Sequence, residues 1–267
     1  MTEGASSHKP AILLALAVGI LAVLFFGLKM AGFHLEHGRL VRGGDILISP
    51  VPENVRFFLD NRRIYPDTEG SGLFKNIAPG DHSILIFNEE DWPWLKNITI
   101  GSGTTTTIAP FLISKNPSGD IINESDAAYD THRNDILAET LPSKSVPLVS
   151  KSGNISVWIE GNTVMATWNG TASSVPPYFC TSEDECPQTM TVTKSQTDIR
   201  SLNFYKDRDD VLLIASQNGV FAIELDHRGG TQNFQPIYKG AGLPRFMVAD
   251  QNTIYVLDGS ILLAITI

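Results

Sequence analysis

The sequence predicts a mainly β protein, with an N-terminal transmembrane helix, then a small antiparallel β-sandwich, then an incomplete β-propeller-like array of about three antiparallel blades. Three observations predict this class. Residues 11–28 are 18 consecutive positions without a charged or strongly polar side chain. Residues 45–114 form short apolar runs separated by glycine and proline, which is typical of antiparallel strands. Three later segments align without gaps, and each has two apolar runs around a tight turn.

The composition excludes several classes of protein. The chain has 267 residues, with 20 Lys+Arg against 29 Asp+Glu and a net charge of −9. A basic face for nucleic acid would have to be built against this charge, so no nucleic-acid partner is predicted. With 42% apolar and 18% charged residues, the chain is too apolar to be disordered. The length indicates one or two globular domains.

The first element is the predicted transmembrane helix, about residues 11–30 within an N-terminal region of residues 1–43. Its 18 uncharged residues would span roughly 27 Å as a helix, close to the hydrocarbon thickness of a bilayer. A cleaved signal peptide is the competing interpretation, but its apolar stretch is usually about 7–15 residues and ends in a small-x-small site. Lys29 and Met30 stand where small residues would be needed. We therefore expect an uncleaved anchor with membrane lipid as its partner.

The orientation of this helix follows less directly from the sequence. Lys9 precedes it, whereas Lys29, Arg39 and Arg42 follow it, so the positive-inside rule would keep the C-terminal part in the cytoplasm. Long domains can translocate despite flanking charge. The β-rich remainder and a hairpin-spaced cysteine pair favour an extracytoplasmic location for the C-terminal part. We therefore predict a single-pass protein of the cell membrane.

Residues 44–114 are predicted to form the β-sandwich. Within them, Pro52-Glu53-Asn54-Val55 is followed by Asp60-Asn61, and Ile77-Ala78-Pro79-Gly80 is followed by Asp81-His82. These stretches resemble the PEGA family of small bacterial and archaeal surface modules. The sequence departs from the family where Asn-Val replaces Gly-Ala and Asn replaces the turn glycine. The resemblance implies a noncatalytic envelope or surface module, and it carries no catalytic residues to transfer.

Trp92 and Trp94 flank Pro93 in this region. Paired tryptophans can stack on a sugar or a partner, so these two are the candidate ligand or partner contacts. Tryptophan also closes the edge of small sandwiches, and the frequency of aromatic residues in small cores favours that packing role.

Residues 115–145 are more polar and are predicted to be a linker with a short helix. Ser125 or Asp126 could cap this helix, and Pro142 would stop it after Leu141.

Residues 146–267 contain the repeat that predicts the propeller-like region. Its central alanines, Ala166, Ala222 and Ala264, are 56 and 42 positions apart, and the second spacing matches a propeller blade of roughly 40–45 residues. Three blades are too few for closure, which usually takes about four to eight. Either the array is an open fragment or another copy supplies the missing blades, which would make a homo-oligomer. The turns are predicted at Gly161-Asn162, Asn218-Gly219 and Asp258-Gly259.

Few residues suggest chemistry. Cys180 and Cys186 could form a disulfide across a hairpin tip in an oxidising compartment. His34 and His37 lack the further ligands that a metal site needs, so no metal is predicted. No hydrolase, dinucleotide or nucleotide motif is present, so we predict no catalytic residues and no cofactor. Acidic groups at residues 89–91, 183–185 and 207–210 are interpreted as solvated loops.

These patterns lead to a functional hypothesis: a membrane-anchored bacterial cell-envelope protein with a noncatalytic role in protein or glycan binding and surface assembly. One alternative is a carbohydrate-acting hydrolase, or a subunit of an envelope enzyme complex. It would need two carboxylates that converge about 5–10 Å apart. Another alternative is an extracytoplasmic sensor or partner subunit of a membrane complex.

Overall fold

The computed structural model describes residues 9–36, 38–68, 70–180 and 185–267. It is mainly β, with one N-terminal apolar helix and several largely antiparallel sheets, as the sequence predicts. The chain divides into two compact units, each made of several segments. The first unit comprises Met1–Val51, Tyr65–His82 and Thr99–Pro110, and the second comprises Pro52–Ile64, Ser83–Ile98 and Phe111–Ile267.

The first unit begins with helix α1, Lys9–Met30, which confirms the predicted helix. Alanine and leucine dominate it, and both favour the helical backbone. The helix ends where the Gly32 N–H bonds to the Lys29 carbonyl at 3.0 Å. Gly32 has a φ of +80°, the left-handed conformation in which glycine commonly terminates a helix.

Two small sheets complete the first unit. Strands β1, Phe33–Glu36, and β2, Arg39–Arg42, form an antiparallel hairpin that was not predicted. Strand β3, Gly44–Ile48, lies between β6, Leu73–Ile77, and β9, Thr105–Ile108.

The pairing of β3 with β9 is parallel, so the expectation of a purely antiparallel sandwich is wrong here. Parallel neighbours need a long crossover, and residues 49–104 between these strands supply it.

A four-stranded sheet has the order β5-β4-β7-β8. Its strands are β4, Arg56–Leu59; β5, Arg62–Ile64; β7, Gly80–Phe87; and β8, Trp94–Ile100. The β4–β5 turn is Asp60-Asn61, with φ values of 49° and 63°, as a two-residue hairpin turn requires. Arg62 and Arg63 begin β5 directly after this turn.

Three further four-stranded sheets lie in the second unit, and all their pairings are antiparallel. Sheet I contains β11, Leu148–Val149; β12, Ile155–Glu160; β13, Thr163–Trp168; and β14, Thr189–Lys194. Sheet II contains β15, Ser201–Phe204; β16, Val211–Ser216; β17, Gly219–Glu224; and β18, Phe234–Lys239. Sheet III contains β19, Arg245–Val248; β20, Thr253–Asp258; β21, Ile261–Thr266; and β10, Gly119–Ile122.

The three predicted hairpins are confirmed as β12–β13, β16–β17 and β20–β21. The turn positions of the second and third are wrong by one residue. The second turn is Gln217-Asn218, because Gln217 itself adopts a positive φ of 48° and Gly219 starts β17. In the third, Asp258 pairs with Ile261, so the turn is Gly259-Ser260.

Sheet III takes its fourth strand from a region predicted to be linker. Strand β10 pairs with β21, and helix α2, Tyr129–Ala138, follows it. Tyr129 and Ile136 of this helix pack on Leu257 and Leu262, so α2 covers apolar residues of sheet III. Sheets I and II share a separate apolar core that includes Val157, Ala166, Leu212 and Ile223. The described residues form no closed propeller.

Candidate functional site

The two candidate tryptophans have different surroundings. Trp94 lies in β8 with 1% of its surface exposed, and its indole Nε1 donates to the Glu224 carboxylate at 3.0 Å. Trp92 is half-buried, and its backbone N–H donates to the Ile113 carbonyl at 2.8 Å. Only Trp92 therefore keeps surface that a ligand could reach, and its role as a contact stays a prediction.

Next to Trp94 lies a buried ion pair that the sequence analysis missed. The Lys96 side chain is 0% exposed and that of Glu224 is 3% exposed, and the Lys96 ammonium donates to the Glu224 carboxylate. The same ammonium donates to the carbonyls of Asp226, at 2.6 Å, and Thr231, at 3.0 Å. All three N–H donors of the lysine are thus used.

The carboxylates around Lys96 are themselves surrounded by donors. Glu224 accepts hydrogen bonds from the Asn233 backbone N–H at 2.8 Å and from its side-chain amide at 2.9 Å. Burial raises the pKa of the Glu224 carboxyl, and the Lys96 ammonium and the Asn233 donors limit the rise. Burial acts in the same direction on the Asp226 carboxyl, but hydrogen bonds and charge from Arg228, with the charge of Lys96, lower its pKa below the usual value.

Side-chain amides extend this polar centre along β8. The Leu95 N–H donates to Asn233 Oδ1 at 3.1 Å, and Asn233 Nδ2 donates back to the Leu95 carbonyl at 3.0 Å. The Ile113 N–H donates to Gln235 Oε1 at 2.9 Å. These amides occupy the hydrogen-bonding positions that a neighbouring strand would otherwise fill. We call Lys96, Glu224, Asp226, Asn233 and Gln235 the polar seam.

At one end of the polar seam, the backbone at Gly229 lies very close to the backbone of β8 at Asn97. Gly229 has a φ of +65°, and a Cβ atom there would lie 2.0 Å from the Asn97 carbonyl oxygen. The Asn97 side-chain amide donates to the Gly229 carbonyl at 3.3 Å. The turn at Gly229 can therefore lie against β8 only without a side chain.

The polar seam has the chemistry of a structural joint. A general acid or base must reach a substrate, whereas these charges are enclosed and paired with one another. The seam instead links β8 to β17 and to the segment that enters β18.

A second acidic cluster joins the turns that connect the first two strands of sheets I, II and III. Asp207 accepts hydrogen bonds from Lys151, at 2.5 Å, and from Gln251. Asp209 accepts one from Ser152 at 2.5 Å. Two acids of the predicted group 207–210 thus hold three turns together, while Asp210 pairs with Arg208 at 2.6 Å.

The other predicted acidic groups make surface contacts where they are described. Glu89 pairs with Arg56 at 3.2 Å, and both side chains are exposed. Residues 183 and 184 lie outside the described residues, as does His37 of the His34–His37 pair. Among the residues that the structure describes, no three His, Cys, Asp or Glu side chains converge as a metal site would require.

A surface cleft of about 460 Å³ is a candidate binding site in the second unit. It is lined by residues 139–143, 146–148 and 200–203. These include residues of β11 and β15, the first strands of sheets I and II. Arg200 lies at its edge, and its Nε donates to the Pro244 carbonyl at 2.9 Å. Burial lowers the pKa of Arg200, and the nearby charge of Arg245 acts in the same direction. Val146 presents an apolar side chain that is 73% exposed.

The predicted disulfide is present between Cys180 and Cys186. Residues 181–184 of the enclosed loop lie outside the described residues. Before the bridge, the Cys180 N–H donates to the Pro177 carbonyl at 3.1 Å, which closes a short helical turn.

No protein-family model matches this chain, and no curated protein matches it in sequence. Nothing in these comparisons identifies a PEGA domain. The resemblance of residues 52–61 and 77–82 to that family stays a prediction.

Proposed function

We propose that this is a single-pass cell-envelope protein, anchored by α1, whose β-rich part outside the cytoplasm binds a protein or glycan without catalysing a reaction. The observation that carries the proposal is the bare surface of α1. Its residues Leu13–Met30 are apolar enough to cross a membrane, and none of these residues is buried inside the protein. A signal sequence has the same length and apolarity, so processing of the N-terminus is the first property to test.

The disulfide supports the extracytoplasmic orientation. Disulfides persist in oxidising compartments and are rare in the cytosol. The cations that follow α1, Lys29, Arg39 and Arg42, favour the opposite orientation. We give the disulfide more weight, because long domains translocate despite flanking charge.

Two contacts support a propeller-like arrangement of sheets I, II and III. The acidic turn cluster links equivalent turns of the three sheets. The Phe246 N–H of β19 donates to the Ser201 hydroxyl of β15 at 3.0 Å, so the first strands of sheets II and III adjoin each other. In this arrangement the cleft lies between the first strands of sheets I and II, β11 and β15.

Fractionation of cells that produce the full chain tests the anchor. We expect the protein to stay with membranes after carbonate extraction and to keep the mass of the uncleaved chain. External protease should digest the β-rich part in intact cells. A processed, released protein would contradict the anchor, and complete protection from external protease would contradict the orientation.

Site-specific photo-crosslinking tests the binding role. A photoreactive amino acid at Val146, in the cleft, is compared with one at Leu243, which is 70% exposed and is not a cleft residue. We expect a discrete protein or glycan adduct in cells at position 146 and none at position 243. Equal labelling, or no adduct at position 146, would contradict recognition through this cleft.

A further inference from the structure

The β1–β2 hairpin places three large apolar side chains on one of its faces. In its register Phe33 pairs with Arg42 and Leu35 pairs with Leu40, and directly paired residues share a face. Phe33, Leu35 and Leu40 therefore lie on one side of the hairpin, together with Arg42. His34 and Val41 lie on the other.

The hairpin is held firmly within the first unit. The Gly43 N–H donates to the Gly32 carbonyl at 2.7 Å, which closes the base of the hairpin. On the face that carries His34 and Val41, His34 Nε2 lies 3.0 Å from the Asn76 carbonyl at β6. A Cβ on Gly32 would lie 2.2 Å from Asn76 Oδ1, so the chain leaves α1 by a close approach to that residue.

The apolar face of the hairpin forms an open groove with α1. The groove has a volume of about 810 Å³, and Leu21, Leu24 and Leu28 of the helix line one side. Leu35 and Leu40 of the hairpin line the other, and they are 69% and 50% exposed. An apolar groove of this size lies in the range of ligand sites, and it is continuous with the helix surface that the proposed anchor gives to lipid.

Charge near this groove is opposite to that of the whole protein. The chain has a net charge of −9, but residues 29–42 contain Lys29, Arg39 and Arg42 against one acid, Glu36. Lys29 lines the groove at the C-terminal end of α1. Basic side chains beside a membrane helix attract anionic lipid headgroups.

We propose that the groove between α1 and the β1–β2 hairpin binds a membrane phospholipid with an anionic headgroup. An acyl chain lies between Leu24 or Leu28 and the hairpin leucines, and the headgroup phosphate lies at Lys29. This inference rests on the proposed insertion of α1 into the membrane. It adds that the hairpin itself contacts lipid and that the contact selects headgroup charge.

The first test measures whether the hairpin contacts lipid. The full chain is placed in nanodiscs that contain a doxyl-labelled quencher lipid, with an environment-sensitive fluorophore on Leu40→Cys. Thr68→Cys is the matched control, because Thr68 is an exposed residue of the first unit. It lies close in sequence to Gly72, whose carbonyl accepts a hydrogen bond from Ile48 at the end of β3 far from the hairpin. We expect blue-shifted emission and several-fold stronger quenching at position 40. Equal emission and quenching at the two positions would overturn the proposal.

The second test measures headgroup selection. Native mass spectrometry of the detergent-solubilised full chain is recorded with phosphatidylglycerol or phosphatidylcholine in equal amounts. We expect preferential retention of phosphatidylglycerol by the wild type, and loss of that preference in Lys29→Gln. Leu40→Trp should reduce retention of both lipids, because the larger ring occupies the groove.

Equal retention of the two lipids by the wild type would overturn the headgroup assignment. Unchanged retention in Leu40→Trp would overturn the groove as the site. Carbonate extraction of the same variants separates these failures from that of the anchor. If the wild type resists extraction but shows no lipid selection, only the groove proposal fails, whereas an extractable wild type contradicts the anchor.

Discussion

The two compact units use polar groups in opposite ways. In the first unit, the buried core residues of the described chain are apolar, as Ile46, Phe74 and Ile108 illustrate, and the ion pair of Lys75 with Asp67 is at the surface, each side chain 45% exposed. In the second unit, charge is enclosed at Lys96 and Glu224. All buried polar or charged residues of the described chain lie in this unit: Lys96, Ser150, Ser156, Ser201, Ser216, Glu224, Asp226, Asn233, Gln235 and Asp258.

This difference affects how precisely the strands are positioned against one another more than it affects the free energy of unfolding. Apolar contacts are non-directional, so several registers of two packed surfaces can bury similar areas. A buried ion pair gains little over an apolar pair, but a misplaced partner leaves a charge unpaired at a large cost. We infer that the polar seam fixes the position of β8 against β17 and β18, whereas the first unit relies on shape.

The largest expected effect is at the centre of the polar seam. Lys96→Met leaves the Glu224 carboxylate buried without its cation, and we expect a loss of about 3–5 kcal/mol in the free energy of unfolding. Denaturant unfolding of the full chain in detergent, followed by tryptophan fluorescence, measures it. Lys75→Met is the control, since it removes the exposed pair in the first unit. An unchanged unfolding midpoint is expected there.

Glu224→Gln keeps the size of the side chain and gives a second measurement if Lys96→Met does not accumulate. It should also destabilise the protein, because Lys96 then keeps only the Asp226 carboxylate, 3.8 Å away, as a counter-charge. If both seam variants unfold at the same midpoint as Lys75→Met, the contrast between the units has no energetic basis.

The next effect concerns the backbone approach at the end of the polar seam. Gly229→Ala places a methyl group against the Asn97 carbonyl and at a positive φ, so we expect a loss of about 3 kcal/mol. Gly230→Ala is the control, because Gly230 has a φ of +68° but no atom within 4 Å of its would-be Cβ. It should cost about 1 kcal/mol. Similar losses in both variants would show that turn conformation matters here and close approach does not.

The disulfide stabilises the second unit by a mechanism that does not involve buried charge. Cys180 and Cys186 are six positions apart, and a loop of this size gives about 2 kcal/mol in the chain-entropy model. We expect the double variant Cys180→Ser/Cys186→Ser to lose this amount. The loss should add to that of Lys96→Met in thermal unfolding of the combined variant. A clearly non-additive result would mean that the loop and the polar seam interact.

The smallest effect is a dependence on pH. The Asp226 carboxyl has a folded-state pKa below its usual 3.8, so its stabilising contribution is present above that pH and is lost as the pH falls through the lower value. Unfolding free energies of wild type and Asp226→Asn should therefore differ at pH 6 and converge towards pH 3. A constant difference over this range would contradict the assigned direction.

Local patterns were sufficient to predict much of the fold. The three hairpins of residues 146–267 follow from apolar runs around two-residue turns that contain Gly or Asn, and such turns depend on neighbouring residues only. Strand β10 and the parallel pairing of β9 were not predicted, because both depend on partners far away in the sequence. The β1–β2 hairpin was not predicted, because its strands are only four residues long and directly follow the helix within the N-terminal region of residues 1–43.

The polar seam was only partly accessible from sequence. Lys96 falls in phase with Trp94, Ile98 and Ile100, the buried side of β8, so a lysine at that position already indicated an enclosed charge. Its partner Glu224 lies 128 residues away, between apolar strand residues, and no local signal connects the two. The cleft at Arg200 was missed for a similar reason, since two separate strands and the linker form it.

During synthesis, strand β10 is made well before β21, the strand with which it pairs. Gly119 pairs with Ile265 and Ile122 with Leu262, so β10 leaves the ribosome about 140 residues before its partner. At about 5–20 residues per second, synthesis takes roughly 7–30 s to reach β21. During that interval the β10 backbone has unpaired amides and carbonyls, as an open sheet edge does. A chaperone that shields extended segments would have its greatest effect on this protein during those seconds.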